Sequence, residues 1–122
     1  MANMLNWFEI PVTDMERAAA FYGKIFSIEI QQSEMGGIQM GFLGNWQEGM
    51  TGALCKGEWY TPSTDGAILY LNGGDDLGVV LAKIPDAGGT VIMPKTHIND
   101  DIGYFAMFID TEGNRMALHS QH

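Results

Sequence analysis

The strongest constraint on the fold is an internal repeat. In each half of the chain, the pattern of apolar residues predicts a strand, a helix and then three strands. Apolar residues alternate in the predicted strands and recur at helical spacing in the predicted helices. In the first half these segments are Met4–Val12, Met15–Phe26, Ile28–Gln32, Ile38–Leu43 and Met50–Lys56. In the second half they are Ala67–Leu71, Leu77–Ile84, Thr90–Met93, Tyr104–Asp110 and Arg115–Ser120. The sequence therefore predicts an α+β fold made of two tandem βαβββ modules.

Helix signals and a shared dipeptide support the duplication. Thr13 to Glu16 fits a capping box at the start of the first helix, and Asp75-Asp76 stands before the second. Pro85 and Gly88-Gly89 are expected to end the second helix. Ala-Leu recurs near the end of each half, at Ala53 and Ala117. We expect one domain over residues 1–122, with module 1 at about 1–60 and module 2 at about 64–122.

Composition excludes several classes of partner. Six Lys and Arg against fifteen Asp and Glu give a net charge of -9, and the basic residues form no cluster of the kind that nucleic acids or anionic membranes need. The chain has one cysteine, which rules out an internal disulfide. No apolar run is long enough to cross a bilayer, and the N-terminus has no signal-peptide pattern. We expect a cytoplasmic protein whose partner is a small molecule or another protein.

Three segments resemble the vicinal oxygen chelate superfamily, which includes glyoxalases, bleomycin-resistance proteins and extradiol dioxygenases. Ile10–Tyr22 is similar to the family's first strand and helix, Asp75–Gly89 to its second helix, and Phe108–Asn114 to its final hairpin. The resemblance implies a cupped mixed sheet formed by both modules. It also implies a homodimer, because members of this fold commonly dimerise.

In metal-dependent members, the resemblance implies four ligands on the first and last strands of each module. The matching positions here are Trp7, Ile68, Ala53 and Ala117. None of these side chains offers a donor to a divalent metal. We therefore predict no metal at the standard positions, and no other cofactor.

Two residues further along the same strand faces lie Glu9, Tyr70, Cys55 and His119. Three interpretations of Glu9 stay open: a hydrogen-bonded carboxylate lining the cup, a general base with His119 or Tyr70 as proton partner, or a displaced metal site with His119. Cys55 is interpreted as a small buried hydrophobe, with a nucleophile beside His119 as the alternative.

The favoured hypothesis is that the cup binds a small, partly hydrophobic molecule. Its predicted lining is Trp7, Glu9, Ala53, Cys55, Ile68, Tyr70, Ala117 and His119, with Glu9, His119 and Tyr70 as the candidate catalytic groups. The aromatic side chains of Trp46, Trp59, Tyr60 and Tyr104 are further candidates for the pocket wall. The alternative is a metal-dependent lyase, isomerase or dioxygenase built around Glu9 and His119. A third hypothesis is a non-catalytic interaction protein.

Overall fold

The computed structural model describes residues 4–122 as eight strands and three helices. The strands are β1 (Phe8–Pro11), β2 (Gln31–Met35), β3 (Ile38–Phe42), β4 (Gly52–Lys56), β5 (Tyr70–Asn72), β6 (Thr90–Asn99), β7 (Gly103–Ile109) and β8 (Arg115–Ser120). The helices are α1 (Met15–Phe26), α2 (Leu77–Leu81) and α3 (Ile84–Ala87).

The strands form two four-stranded sheets of the same topology, β1-β4-β3-β2 and β5-β8-β7-β6. In each sheet the first strand of the module pairs in parallel with the last, and the other pairs are antiparallel. This arrangement confirms the predicted α+β fold with two βαβββ modules.

The first helix begins differently from the prediction. Asp14, rather than Thr13, is the N-cap, and its side chain accepts a hydrogen bond from the Arg17 amide at 3.1 Å. The amides of Thr13 and Asp14 instead donate to Glu112, each at 2.9 Å. The helix ends at Ser27, whose φ of 55° is left-handed. A carboxylate from the second module therefore completes the start of the first module's helix.

The second module contains two short helices where the repeat predicts one. Asp76 caps α2 through a 2.8 Å bond from the Gly78 amide. Pro85 lies in the first turn of α3, a position that suits its missing N–H. The predicted helix Leu77–Ile84 is interrupted at residues 82–83, because Pro85 has no N–H to donate to the Leu81 carbonyl four residues earlier.

Several strand boundaries also differ from the prediction. The strand predicted at Ala67–Leu71 is only Tyr70–Asn72, and the one predicted at Ile28–Gln32 is Gln31–Met35. The strand predicted to stop at Met93 continues to Asn99, so His97 lies in a strand rather than a loop. Register shifts in the β6–β7 pairing let the strand pass Pro94, which has no N–H to donate to the ladder.

A single large apolar core joins the modules. Phe21 of α1 contacts Phe108 of β7, with ring centroids 6.0 Å apart. Tyr22, also on α1, donates its hydroxyl to Asp110 at 2.7 Å. Asn114 binds Asp110 and donates to the Pro11 carbonyl at 2.7 Å, so the last hairpin is tied to β1. The two sheets are therefore held in place by packing and by buried hydrogen bonds.

The Glu112 carboxylate forms a charged clasp between the modules. Its side chain is fully buried and pairs with the Arg17 Nε at 2.7 Å. Burial alone would raise the pKa of Glu112, but hydrogen bonds from Arg17, Asp14 and Thr13 outweigh it and lower the pKa to about 2. The clasp is therefore a stabilising contact that depends on pH.

Candidate functional site

Strand alternation separates the core from a second, smaller apolar cluster on the opposite face of the first sheet. Ile10 and Leu54 point into the core, whereas Ala53 and Cys55 lie in this second cluster. We call this side the first-sheet cup; its side chains are Trp7, Glu9, Ile38, Met40, Phe42, Ala53, Cys55 and Tyr60. It brings together four of the residues predicted from the sequence, Trp7, Glu9, Ala53 and Cys55.

Glu9 is the charged centre of the first-sheet cup. One carboxylate oxygen accepts a hydrogen bond from the Tyr60 hydroxyl at 2.6 Å, and the other lies 3.4 Å from the Trp7 indole nitrogen, which donates to it. The Glu9 side chain remains exposed to solvent. Its carboxylate is thus oriented by two neutral donors and still accessible to a ligand.

The polar neighbours of Glu9 are held in their neutral forms. The hydrogen bond to Glu9, together with burial, raises the pKa of Tyr60 well above its ordinary value. Burial, followed by the negative charge of Glu9, raises the pKa of the Cys55 thiol to about 12. A protonated phenol and a protonated thiol at neutral pH act as donors rather than as bases or nucleophiles.

An apolar cavity of about 570 Å³ opens in the first-sheet cup. Its walls are Asn6, Trp7, Met35, Met40, Phe42, Trp46, Gly49 and Thr51. Trp7 and Phe42 meet edge to face with centroids 6.3 Å apart, while Trp46 is 59% exposed at the rim. Aromatic and methionine side chains of this kind adapt to flat apolar molecules.

The second sheet presents the pseudo-symmetric residues in a different environment. Tyr70 is 56% exposed, and the ring nitrogen of His119 lies 2.6 Å from the Ile102 carbonyl oxygen. Ile68 precedes β5 and is partly exposed, whereas Ala117 is fully buried. Glu9 therefore contacts Tyr60 and Trp7, and neither His119 nor Tyr70 is hydrogen-bonded to it.

Strand pairing sets the level of these residues along the strands. Glu9 is level with Ala53, and Tyr70 is level with Ala117. Trp7 and Ile68 therefore lie outside the paired ends of β1 and β5, and are not level with the two alanines. Counting along a sequence gives the face of each side chain but not the stagger between neighbouring strands.

The donor set does not fit the divalent metal that the fold family implies. The side chains of Trp7, Ile68, Ala53 and Ala117 are indole, sec-butyl and methyl groups, which supply no ligand. Within residues 4–122, no three His, Cys, Asp or Glu side chains are grouped so that they could hold a metal ion. The remaining candidate ligands, Glu9 and His119, are each engaged by other groups.

Sequence reasoning missed the role of Tyr60 as the partner of Glu9. Tyr60 follows β4 in a segment without periodicity, and nothing in the local pattern indicates its contact. Of the other aromatic candidates, Trp46 lines the cavity, Trp59 is 83% exposed, and Tyr104 packs beside His97 and Lys95.

Comparison with known proteins identifies the family of the chain. Residues 4–118 match the family model of the Glyoxalase/Bleomycin resistance protein/Dioxygenase superfamily. A glyoxylase-like domain-containing protein from Didymella fabae is 30% identical over 119 residues, which cover 93% of this chain and 91% of that protein. None of the helices in the described part of the chain has the length and apolar character that a membrane crossing requires.

Solved structures share the fold at low sequence identity. UcmS2 superposes with a TM-score of 0.68 at 21% identity over 98% of both chains. TnmS3, an antibiotic-binding protein from Streptomyces sp. CB03234, superposes with a TM-score of 0.64 at 22% identity over 98% of both chains. A mutant glyoxalase I from Zea mays superposes with a TM-score of 0.66 at 16% identity, and the match covers 96% of this chain and 46% of the glyoxalase chain. The chain belongs to the Glyoxalase/Bleomycin resistance protein/Dioxygenase superfamily, as its sequence motifs predicted.

Proposed function

We propose that the protein is a small-molecule binding member of this superfamily that works without the family's metal. Its ligand is partly hydrophobic, lies in the first-sheet cup and donates a hydrogen bond to Glu9. The observation that carries the proposal is an exposed carboxylate that is oriented by Tyr60 and Trp7, together with a 570 Å³ apolar cavity that the same Trp7 lines.

The chemistry of the cup supports this class of ligand. Apolar walls favour a flat hydrophobic body, since burying apolar surface yields roughly 25 cal/mol per Å². A carboxylate with neutral donors already in place attracts a hydroxyl or amine on the ligand and repels an anion. TnmS3, with the same fold, is described as an antibiotic-binding protein, which agrees with a cup used for binding.

The proposal is tested with two matched probes, 2-naphthol and 2-methoxynaphthalene, which differ in the hydrogen-bond donor. Binding is read from the indole N–H resonances of the three tryptophans. We expect 2-naphthol to shift the Trp7 and Trp46 signals and to leave the exposed Trp59 signal in place. A hydrogen bond to a charged group contributes about 1.5–3 kcal/mol, so 2-naphthol should bind roughly 10- to 100-fold more tightly than its methyl ether.

The Glu9→Gln variant should weaken this preference while retaining binding of both probes, because the amide oxygen still accepts a hydrogen bond but carries no charge. Glu34→Gln, the same change on exposed β2, is the matched control and should behave as wild type. If neither probe moves the Trp7 or Trp46 signal at saturating concentration, the proposal fails.

We also propose that the protein forms a homodimer. The outer strand β6 and the turn after it carry exposed apolar side chains at Ile92, Met93, Ile98 and Ile102. Exposed apolar patches of this kind are typical of interaction surfaces. Light scattering on a sizing column should give twice the monomer mass, and a monomer at high protein concentration would contradict the proposal.

A further inference from the structure

A second apolar pocket lies between the modules, on the helix side of the first sheet. It has a volume of about 400 Å³ and is lined by residues of β1, β5, the end of α1 and the loop between β3 and β4. Four of its side chains belong to the large apolar core or pack against it, namely Phe8, Phe26, Leu43 and Leu71. The first-sheet cup is built on a separate cluster, on the other face of the sheet. We call this second cavity the helix-side pocket.

The entrance to the helix-side pocket is apolar and open to solvent. Ile28 is 37% exposed, Met50 is 57% exposed and Tyr70 is 56% exposed, and all three side chains line the pocket. Exposed apolar groups that surround a cavity are typical of ligand sites, because a bound molecule removes them from water. The lining is therefore accessible to a molecule from outside.

The walls of the helix-side pocket carry no charged side chain in the described part of the chain. A charged group of a ligand would lose its hydration there without meeting an opposite charge. The net charge of -9 attracts cations toward the protein from a distance, but the carboxylates that produce it lie outside this lining. The walls therefore favour an uncharged molecule.

Asn72 gives the helix-side pocket an oriented hydrogen-bond donor. Its Oδ1 accepts from the Gly74 amide at 2.9 Å, and this bond decides which way round the side-chain amide lies. Since Oδ1 is used in this way, the Nδ2 donors of the exposed side chain remain for a ligand. The Thr51 hydroxyl, by contrast, already donates to the Leu43 carbonyl. The group that Asn72 can bind on a ligand is an acceptor oxygen.

We propose that the helix-side pocket is a second ligand site, which takes a small uncharged molecule with an apolar body and an acceptor oxygen, such as an aryl ketone. The body packs against Phe8, Phe26 and Leu71, and the oxygen accepts from Asn72 Nδ2. The polarity is opposite to that of the first-sheet cup, where Glu9 accepts from the ligand. The inference does not rest on the proposed function, because the two cavities lie on opposite faces of the first sheet.

The test is a titration with acetophenone, followed through the methyl resonances of the methionines. Met50 lines the helix-side pocket and Met40 lines the cavity of the first-sheet cup, so their methyl groups report on separate sites. We expect acetophenone to shift the Met50 methyl and Asn72 side-chain amide signals saturably, and at lower concentrations than the Met40 signal. Benzylamine, a cation of similar size, should bind at Met50 at least about 10-fold more weakly.

An Asn72→Asp variant separates the hydrogen bond from the apolar contacts. The carboxylate keeps an oxygen for the Gly74 amide, but it has no donor and repels the acceptor oxygen of the ligand. The affinity for acetophenone should therefore fall by at least roughly 2- to 10-fold, whereas that for ethylbenzene, which lacks the oxygen, should change by less than about twofold.

The matched control is Asn45→Asp. Asn45 also accepts from the amide two residues later, that of Gln47 at 2.9 Å, but it lies outside the lining of the helix-side pocket. This variant should keep the wild-type affinity for both probes. If Asn72→Asp does not fold, the shifts of the wild-type Met50 and Asn72 signals decide the question alone.

Four results would overturn the proposal. Met50 and Asn72 signals that stay in place up to the solubility limit of acetophenone mean that the pocket holds only water. Equal losses of the two probes in Asn72→Asp remove the hydrogen bond, and benzylamine binding at Met50 as tightly as acetophenone contradicts the uncharged ligand. Acetophenone that shifts Met40 and the Trp46 indole but not Met50 binds in the first-sheet cup, a result that leaves the proposed function standing and removes the helix-side site.

Discussion

The two sheets have the same topology but carry different chemistry at equivalent positions. In the first sheet, Glu9 is held by Tyr60 and Trp7 beside an aromatic cavity. In the second, Tyr70 occupies the position equivalent to Glu9 and is mostly exposed, while His119 is tied to a backbone carbonyl. Part of the difference lies in the strands themselves, and part lies outside them, because Tyr60 and Trp46 stand in connecting segments. Duplication thus fixes the frame, while strand substitutions and the connecting segments together give each sheet its own chemistry.

The largest expected effect comes from breaking the core that both sheets share. Phe108 is fully buried between α1 and the second sheet, so Phe108→Ala should destabilise the protein by about 3–5 kcal/mol. Phe105→Ala, on the opposite face of the same strand and only half-buried, is the matched comparison and should cost clearly less. Urea denaturation measures the free energy of unfolding of both variants. Equal losses would mean that the core is not concentrated on the helix side of the sheet.

The next effect concerns the clasp that holds the modules together. Because the folded state lowers the pKa of Glu112 from 4.5 to about 2, its carboxylate stabilises the fold above pH 4.5 and loses this contribution as the pH falls toward 2. The contribution at neutral pH is at most about 3 kcal/mol. The Glu112→Gln variant should therefore be less stable than the wild type at pH 7. The free energies of unfolding of the two proteins should converge in acid.

Unfolding at pH 7 and at pH 2.5 checks this prediction. Glu48→Gln, an exposed carboxylate in the connection between β3 and β4, is the control and should track the wild type at both values. If the free energies of unfolding of Glu112→Gln and the wild type differ by the same amount at both pH values, the lowered pKa of Glu112 is contradicted.

A smaller effect is expected when the second sheet's polar groups are removed. Tyr70→Phe and His119→Ala should change 2-naphthol affinity by less than about twofold, since neither group lies in the cavity beside Glu9. Isothermal titration calorimetry with 2-naphthol measures the affinities of these variants, and Glu9→Gln serves as the comparison. A loss from His119→Ala as large as that from Glu9→Gln would revive the interpretation in which these two residues act as a pair.

Much of the frame was predictable because it is set by local patterns. Strand alternation places Glu9 and Cys55 on one face, and the repeat gives the order of the elements. The stagger of β1 against β4 was not predictable, because it depends on tertiary packing. The hydrogen bonds from Thr13 and Asp14 to Glu112 at the start of α1 also escaped prediction, since they join residues 98 and 99 positions apart.

The same reason explains which site residues escaped prediction. Tyr60 reaches Glu9 across 51 positions from a segment with no periodic signal. Contacts between distant segments leave no mark in a local pattern.

The most direct test of the asymmetry is to locate bound 2-naphthol by nuclear Overhauser contacts to methionine methyl groups. Met40 lies in the first-sheet cup, and Met107 lies on the equivalent face of the second sheet, level with Ala117. We predict contacts from 2-naphthol to Met40 and to the Trp46 ring, and none to Met107. Contacts to Met107 without contacts to Met40 would place the ligand in the second sheet and contradict the account.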